Sequence, residues 1–147
     1  MPDPTFDRYA KPDVPYNLLA EESVLASCMV DPQAFGLCQP LKPSDFFGHD
    51  HRRIYEAILR LRGRGRGINQ ITVAHELGAA LNEIGLVFLS NIITELPTPV
   101  GCEWSAEIVR ECAVRRATID RLGKEVRDVY NGSLPATPET PRRGREP

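Results

Sequence analysis

The sequence predicts an all-α fold: a compact bundle of about five helices plus one long C-terminal helix, an incomplete helical hairpin. Three observations lead there. Apolar residues recur every three or four positions through most of the chain, no stretch alternates apolar and polar residues as a strand would, and prolines and glycines cut the pattern into helix-sized pieces. With 147 residues and 41% apolar content, one core suffices.

Residues 1–16 read as a flexible lead, with Pro2, Pro4, Pro12 and Pro15 set among charges. The helical domain is placed at 17–132. Asn17 caps a first helix, with Leu18, Leu25, Cys28 and Met29 on its inward face and Glu21 and Glu22 as first-turn negative charge. Asp31 caps a short second helix that starts at Pro32, and Pro40 and Pro43 close it. Ser44, Asp45, Phe46 and Phe47 form a turn, with at least one of the two phenylalanines filling the core.

A third helix, from about His51 to Arg62, turns Ile54, Ile58 and Leu61 inward. Gly63, Gly65 and Gly67 end it. A fourth runs from Asn69 to about Leu81, and a fifth, from Ile84 to Leu96, is dense enough in Leu, Val, Phe and Ile to be buried on most sides. The last helix spans about Glu103 to Tyr130. Trp104 staples its start to the bundle, and Ile108, Cys112, Arg115, Ile119, Leu122, Val126 and Val129 continue a seam that outruns the core, so part of it projects toward a partner. Residues 133–147, with four prolines and Arg142, Arg143 and Arg145, read as a disordered tail.

A net charge of −2 argues against a protein whose main task is coating nucleic acid. Four scattered cysteines without a C-x-x-C clip suggest buried reduced thiols, not zinc or a disulfide framework. His49, Asp50 and His51 have the wrong spacing for a metal site, and no grouping of nucleophile, base or paired carboxylates points to catalysis or to a cofactor. With no targeting pattern and no apolar run near the roughly 20 residues of a membrane span, the expected compartment is the cytoplasm.

Several segments carry a family likeness. Pro15-Tyr16-Asn17-Leu18-Leu19-Ala20-Glu21, Leu41-Lys42-Pro43-Ser44-Asp45-Phe46-Phe47, His51-Arg52-Arg53-Ile54-Tyr55-Glu56-Ala57-Ile58, Gly67-Ile68-Asn69-Gln70-Ile71-Thr72-Val73 and Glu83-Ile84-Gly85-Leu86-Val87-Phe88-Leu89 stand in the order of the family's motifs, as does Ala106 to Glu111. In these the chain resembles the N-terminal domain of the bacterial replicative hexameric helicase, the DnaB family. It departs at Leu19, where the family has Glu, at Gly67 and Asn69, where it has Pro and Asp, and near Gly85, where one glycine is missing. Where the family's hairpin would return, Ser133 to Pro138 carry prolines instead.

The resemblance implies attachment and assembly: organising a helicase hexamer by self-association and receiving primase or a helicase loader. It implies no ATP hydrolysis by this stretch, because the spacing of glycines before Lys and Ser/Thr that cradles a nucleotide triphosphate is missing from the sequence. The expected partner surface comprises Phe88, Trp104, Arg115, Ile119 and Leu122, in which Arg115 is a charge on an apolar seam that calls for an acid or another chain. The alternative is a nucleic-acid-binding accessory protein that lays Arg60, Arg62, Arg64 and Arg66, with the arginines of the tail, on phosphates.

Overall fold

The computed structural model describes residues 14–95 and 99–133. Within them the chain forms seven α-helices and one 3-10 turn, with no strand. The tail and most of the lead lie outside the described residues.

Helix α1, Leu18–Val30, is the central element. Asn17 caps it by accepting the Ala20 amide at 2.9 Å. Buried side chains surround it: Val24, Leu25 and Cys28 face one way, Ala26 and Met29 another. Leu18, expected inward, is exposed at the mouth of the helix. Asp31 accepts the Gln33 amide at 2.9 Å, but helical geometry begins only at α2, Ala34–Leu37, two residues after Pro32. A 3-10 turn over Pro43–Asp45 follows, closed by Asp45 accepting the Lys42 amide at 3.0 Å.

Helix α3, His49–Gly63, buries Ile54, Tyr55, Ile58 and Leu61. Tyr55 donates to the Leu41 carbonyl at 3.1 Å and accepts from Gln39 at 3.1 Å, while its ring packs on Phe46. Burial pushes its phenol up to about 12. Phe46 is wholly buried; Phe47 stays partly open and stacks on Tyr16 with centroids 4.4 Å apart.

The expected fourth helix is two. Helix α4, Gln70–Leu77, capped by Asn69, stops at Gly78, whose φ of +56° turns the chain into the short α5, Ala80–Ile84. Gly85, at φ +89°, then starts α6, Leu86–Glu95. Helix α6 is not buried on most sides: only Leu89 and Ile92 are buried, and Val87 is 73% exposed. The element enclosed by others is α1, because α3, α6 and the last helix all pack on it.

Helix α7, Cys102–Tyr130, starts at Gly101 and packs on α1, α2 and the 3-10 turn. Three cysteines, Cys28, Cys38 and Cys102, meet in the core where α1, α2 and α7 converge. Hydrogen bonding to Cys28 and burial push the Cys38 thiol up, and burial followed by Cys38 pushes Cys102 up to about 12, which favours the protonated form of both.

One polar group in the core organises its neighbours. Glu21 is 1% exposed and sits in the same stripe as Leu25 and Cys28. Its carboxylate accepts the amides of Phe47 and Gly48, each at 3.0 Å, and faces His51 Nδ1 at 3.2 Å. His51 Nε2 lies 3.4 Å from Glu22. Gly48, the residue preceding α3, offers no side-chain cap, so Glu21 supplies one from α1. A Cβ on Gly48 would come within 2.6 Å of the His51 ring, so a larger residue there has to displace His51.

Burial raises the Glu21 pKa, but the hydrogen bonds from His51, Gly48 and Phe47 outweigh it and hold the carboxyl below its ordinary value of 4.5. A carboxyl depressed on folding stabilises the fold at pH above the unfolded value, and that contribution fades as pH falls through the folded one. Urea unfolding of Glu21→Gln at neutral pH is therefore expected to show a loss of about 2–4 kcal/mol, with less of the wild type's acid sensitivity. Glu111→Gln, at an exposed position, should change stability by less than about 0.5 kcal/mol. Gly48→Ala, by displacing His51, should cost about 1–3 kcal/mol in the same assay.

A candidate partner-docking surface on the long helix

Helix α7 carries two stripes about a third of a turn apart. The inward stripe holds Cys102, Ala106 and Val109, all buried, and ends on Arg116. Ser105 Oγ donates to Ser23 Oγ at 3.0 Å and stitches α7 to α1. Arg116 gives one guanidinium nitrogen to the Pro15 carbonyl at 2.9 Å and another to the Asp45 carbonyl at 2.7 Å, and lies over the Phe47 ring. The described end of the lead is thereby held against the 3-10 turn. Arg116 is the last anchor: no residue from Arg110 to Tyr130 is buried, and beyond Arg116 the side-chain hydrogen bonds among the described residues stay within α7.

The second stripe faces outward. Trp104, expected to staple the helix to the bundle, is 66% exposed and instead covers Gly101, whose added Cβ would lie 2.8 Å from the indole. Ile108, Ile119, Leu122, Val126 and Val129 are exposed along the same line, with Cys112 and Arg115 between them. Near the end, Leu122, Val126, Val129 and Tyr130 border an open hollow of about 390 Å³. From Arg116 to Tyr130 the helix extends about 21 Å at 1.5 Å per residue.

Four of the five interface residues read from the sequence, Trp104, Arg115, Ile119 and Leu122, therefore share one exposed stripe. Phe88 does not join them. It lies on α6, half-buried, with its ring stacked on His51 at 5.8 Å, while its neighbours Leu86 and Val87 point outward.

The arginine-rich loop is mostly engaged. Arg60 and Arg64 both pair with Glu76, the first at 2.9 Å, and hold its carboxyl below the usual range. Arg62 lies over the Phe35 ring at 4.1 Å. Of the four, only Arg66 has no side-chain partner among the described residues. Arg142, Arg143 and Arg145 lie outside the described residues.

Two residues that organise the support of this surface have roles that the local sequence pattern does not announce. Glu21 looked like a helix-start charge, although its spacing of four from Asn17 and from Leu25 puts it in the apolar stripe. Arg116 was passed over for Arg115, although Cys102, Ala106, Val109 and Arg116 are spaced as one inward face.

The description "DnaB-like helicase N terminal domain" fits residues 13–111. The chain belongs to this family. It is 36% identical over 120 residues to the replicative DNA helicase DnaB of Geobacillus stearothermophilus and 33% identical over 123 residues to that of Mycobacterium leprae, covering 79% and 81% of this chain. The chain spans about a quarter or less of those relatives' length, 26% and 20%. Among solved structures, the N-terminal domain of DnaB helicase from Mycobacterium tuberculosis superposes with a TM-score of 0.78 at 34% identity, covering 82% of this chain and 89% of that one. A DnaB-like replicative helicase described with its interactions with primase shares the fold, with a TM-score of 0.70 at 23% identity over 78% of this chain and 28% of that one. The all-α expectation and the family resemblance both hold.

Because Arg116 and not Arg115 anchors α7, Arg116→Ala should lower stability to urea by about 1–2 kcal/mol. Arg115→Ala should stay within about 0.5 kcal/mol of the parent protein. Equal losses from both would contradict the division of α7 into two stripes.

Proposed function

We propose that this chain acts as the interaction domain of a replicative DNA helicase, organising helicase subunits by self-association and receiving primase or a helicase loader during replication. The observation that carries this reading is the exposed apolar seam of α7, which the bundle leaves uncovered over more than half the helix. An apolar stripe of that length on a charged helix favours association with another helical surface. Family membership supplies the context, and a fold neighbour described with primase makes primase the first partner to test. The named relatives are replicative DNA helicases, of whose length this chain covers 26% and 20%.

The rival reading, phosphate contact through the arginine loop, has less support, since Arg60 and Arg64 share the Glu76 carboxylate, which offsets one of their two charges, and Arg62 packs over Phe35. Anisotropy with single-stranded and duplex DNA across a salt series distinguishes them, with weak binding that is lost at moderate salt as the expected result.

The primase reading is tested by titrating this chain against the C-terminal domain of a bacterial primase from the same organism. Binding with micromolar Kd is expected, weakened about tenfold or more, or ~1.4 kcal/mol, by Leu122→Asp on the seam. No binding at tens of micromolar would remove primase from the proposal.

A further inference from the structure

A third face of α7, clear of both core and seam, lines a groove. Glu103, Glu107, Arg110 and Val114 advance by four, three and four residues, about a third of a turn from the buried stripe on the side away from the seam. Facing them is the loop between α2 and the 3-10 turn, and two adjoining hollows of about 250 and 310 Å³ share Pro40, Leu41 and Arg110 as walls. Charges are ordered along this groove. At the end nearer the arm it is bordered by Lys42 and Arg110, and neither has a side-chain partner among the described residues. Asp45 borders the same end, but its carboxylate is already taken by the Lys42 amide at 3.0 Å. Glu103 and Glu107 border the other end. Glu103 meets only the weak Cys102 donor, at 3.8 Å, and Glu107 has no side-chain partner among the described residues.

The end of α7 delivers the chain to the same face. Gly132, at φ +84°, donates its amide to the Val129 carbonyl at 3.1 Å and Ser133 donates to the Asp128 carbonyl at 2.8 Å, the paired closure that stops a helix. Asp128 stands five turns beyond Arg110 on one line of the helix. Residues 134–147, which follow, lie outside the described residues. Their charges come in the order that complements the groove: Glu139 first, then Arg142, Arg143 and Arg145. At ~3.5 Å per residue for an extended chain, Glu139 reaches about 21 Å from Ser133, Arg143 about 35 Å and Arg145 about 42 Å. Down the helix from Tyr130, Val114 is about 24 Å away, Glu107 about 35 Å and Glu103 about 41 Å. The side chains of Glu139, Lys42 and Arg110 span the small gap at the near end. Prolines at 135, 138 and 141 lower the entropy lost in drawing such a segment out.

We infer that the groove between α7 and the loop at 38–42 is a docking site for this chain's own residues 139–145, with Glu139 against Lys42 and Arg110, and Arg143 and Arg145 against Glu107 and Glu103. The segment then straps the far end of the arm to the body. It leaves the seam, on the other flank of α7, open to a partner.

Carbodiimide coupling of the whole chain, dilute and at low salt, followed by peptide mapping, tests the site. The available lysines are Lys11, Lys42 and Lys124. A docked segment is expected to give Lys42 joined to Glu139 within single chains as the main product, whereas an undocked one meets Lys124, nearer in sequence, more often. The yield should fall about threefold or more in the double variant Glu103→Gln/Glu107→Gln, although neither residue takes part in the cross-link, with circular dichroism confirming that the variant stays helical. It should fall likewise when salt shortens the screening length from about 10 Å to about 3 Å. Glu139 joined mainly to Lys124 would overturn the inference. So would Lys42 to Glu139 links confined to cross-linked dimers, or a yield indifferent to both salt and the double variant.

Discussion

A buried carboxylate, Glu21, holds the structure's two halves in register. It lies in the central helix, accepts the two amides that lead into α3 and faces His51 one turn further on. Such a group is unfavourable in a core unless its oxygens are occupied. Here they are, and that requirement fixes where α3 may begin: Phe47 and Gly48 must present their amides to α1. The same turn carries Phe46 into the core beside Tyr55, and its Asp45 carbonyl receives Arg116 from α7. Three segments far apart in sequence, around Glu21, Asp45 to His51 and Arg116, thus meet at this turn.

That node also explains how α7 divides. Its first half packs on α1 and on the turn positioned by Glu21, and the last link in that chain of contacts is Arg116. Past it the helix must rely on intrahelical hydrogen bonds, the Arg121 to Glu125 pair and whatever meets its seam. An isolated helical extension of this length is marginal in water. A partner that covers the seam would therefore order the arm as well as bind it, so recognition and local stability are coupled at this end of the molecule.

Much of this was legible in the sequence because helical periodicity and caps are local. Asn17 and Asn69 cap where their spacing says they should, and the seam of α7 follows directly from residues three and four apart. What failed was non-local. Whether α6 is buried depends on what packs over it, and a run such as Leu86-Val87-Phe88-Leu89 reads the same on a covered or an open helix. The pattern from Asn69 to Leu81 reads as one helix, and the positive φ of Gly78 reveals the break. Glu21 and Arg116 are the instructive cases, since each is a charge at an inward position whose partners include backbone groups that no side-chain pattern announces. The departure at Leu19, by contrast, is on an exposed position and leaves the Glu21 node untouched.

Helix α7 has an anchored half and a projecting arm, and a partner on the seam would add order to the arm. Native-state hydrogen exchange of the chain, followed amide by amide at low and at high protein concentration, tests it most directly. Amides from Ala106 to Arg116 are expected to exchange as slowly as those of α1 at both concentrations, while those from Ile119 to Val129 exchange much faster when dilute and gain protection as concentration rises. Uniform slow exchange along all of α7 in dilute solution, or fast exchange of the arm that concentration does not change, would contradict it.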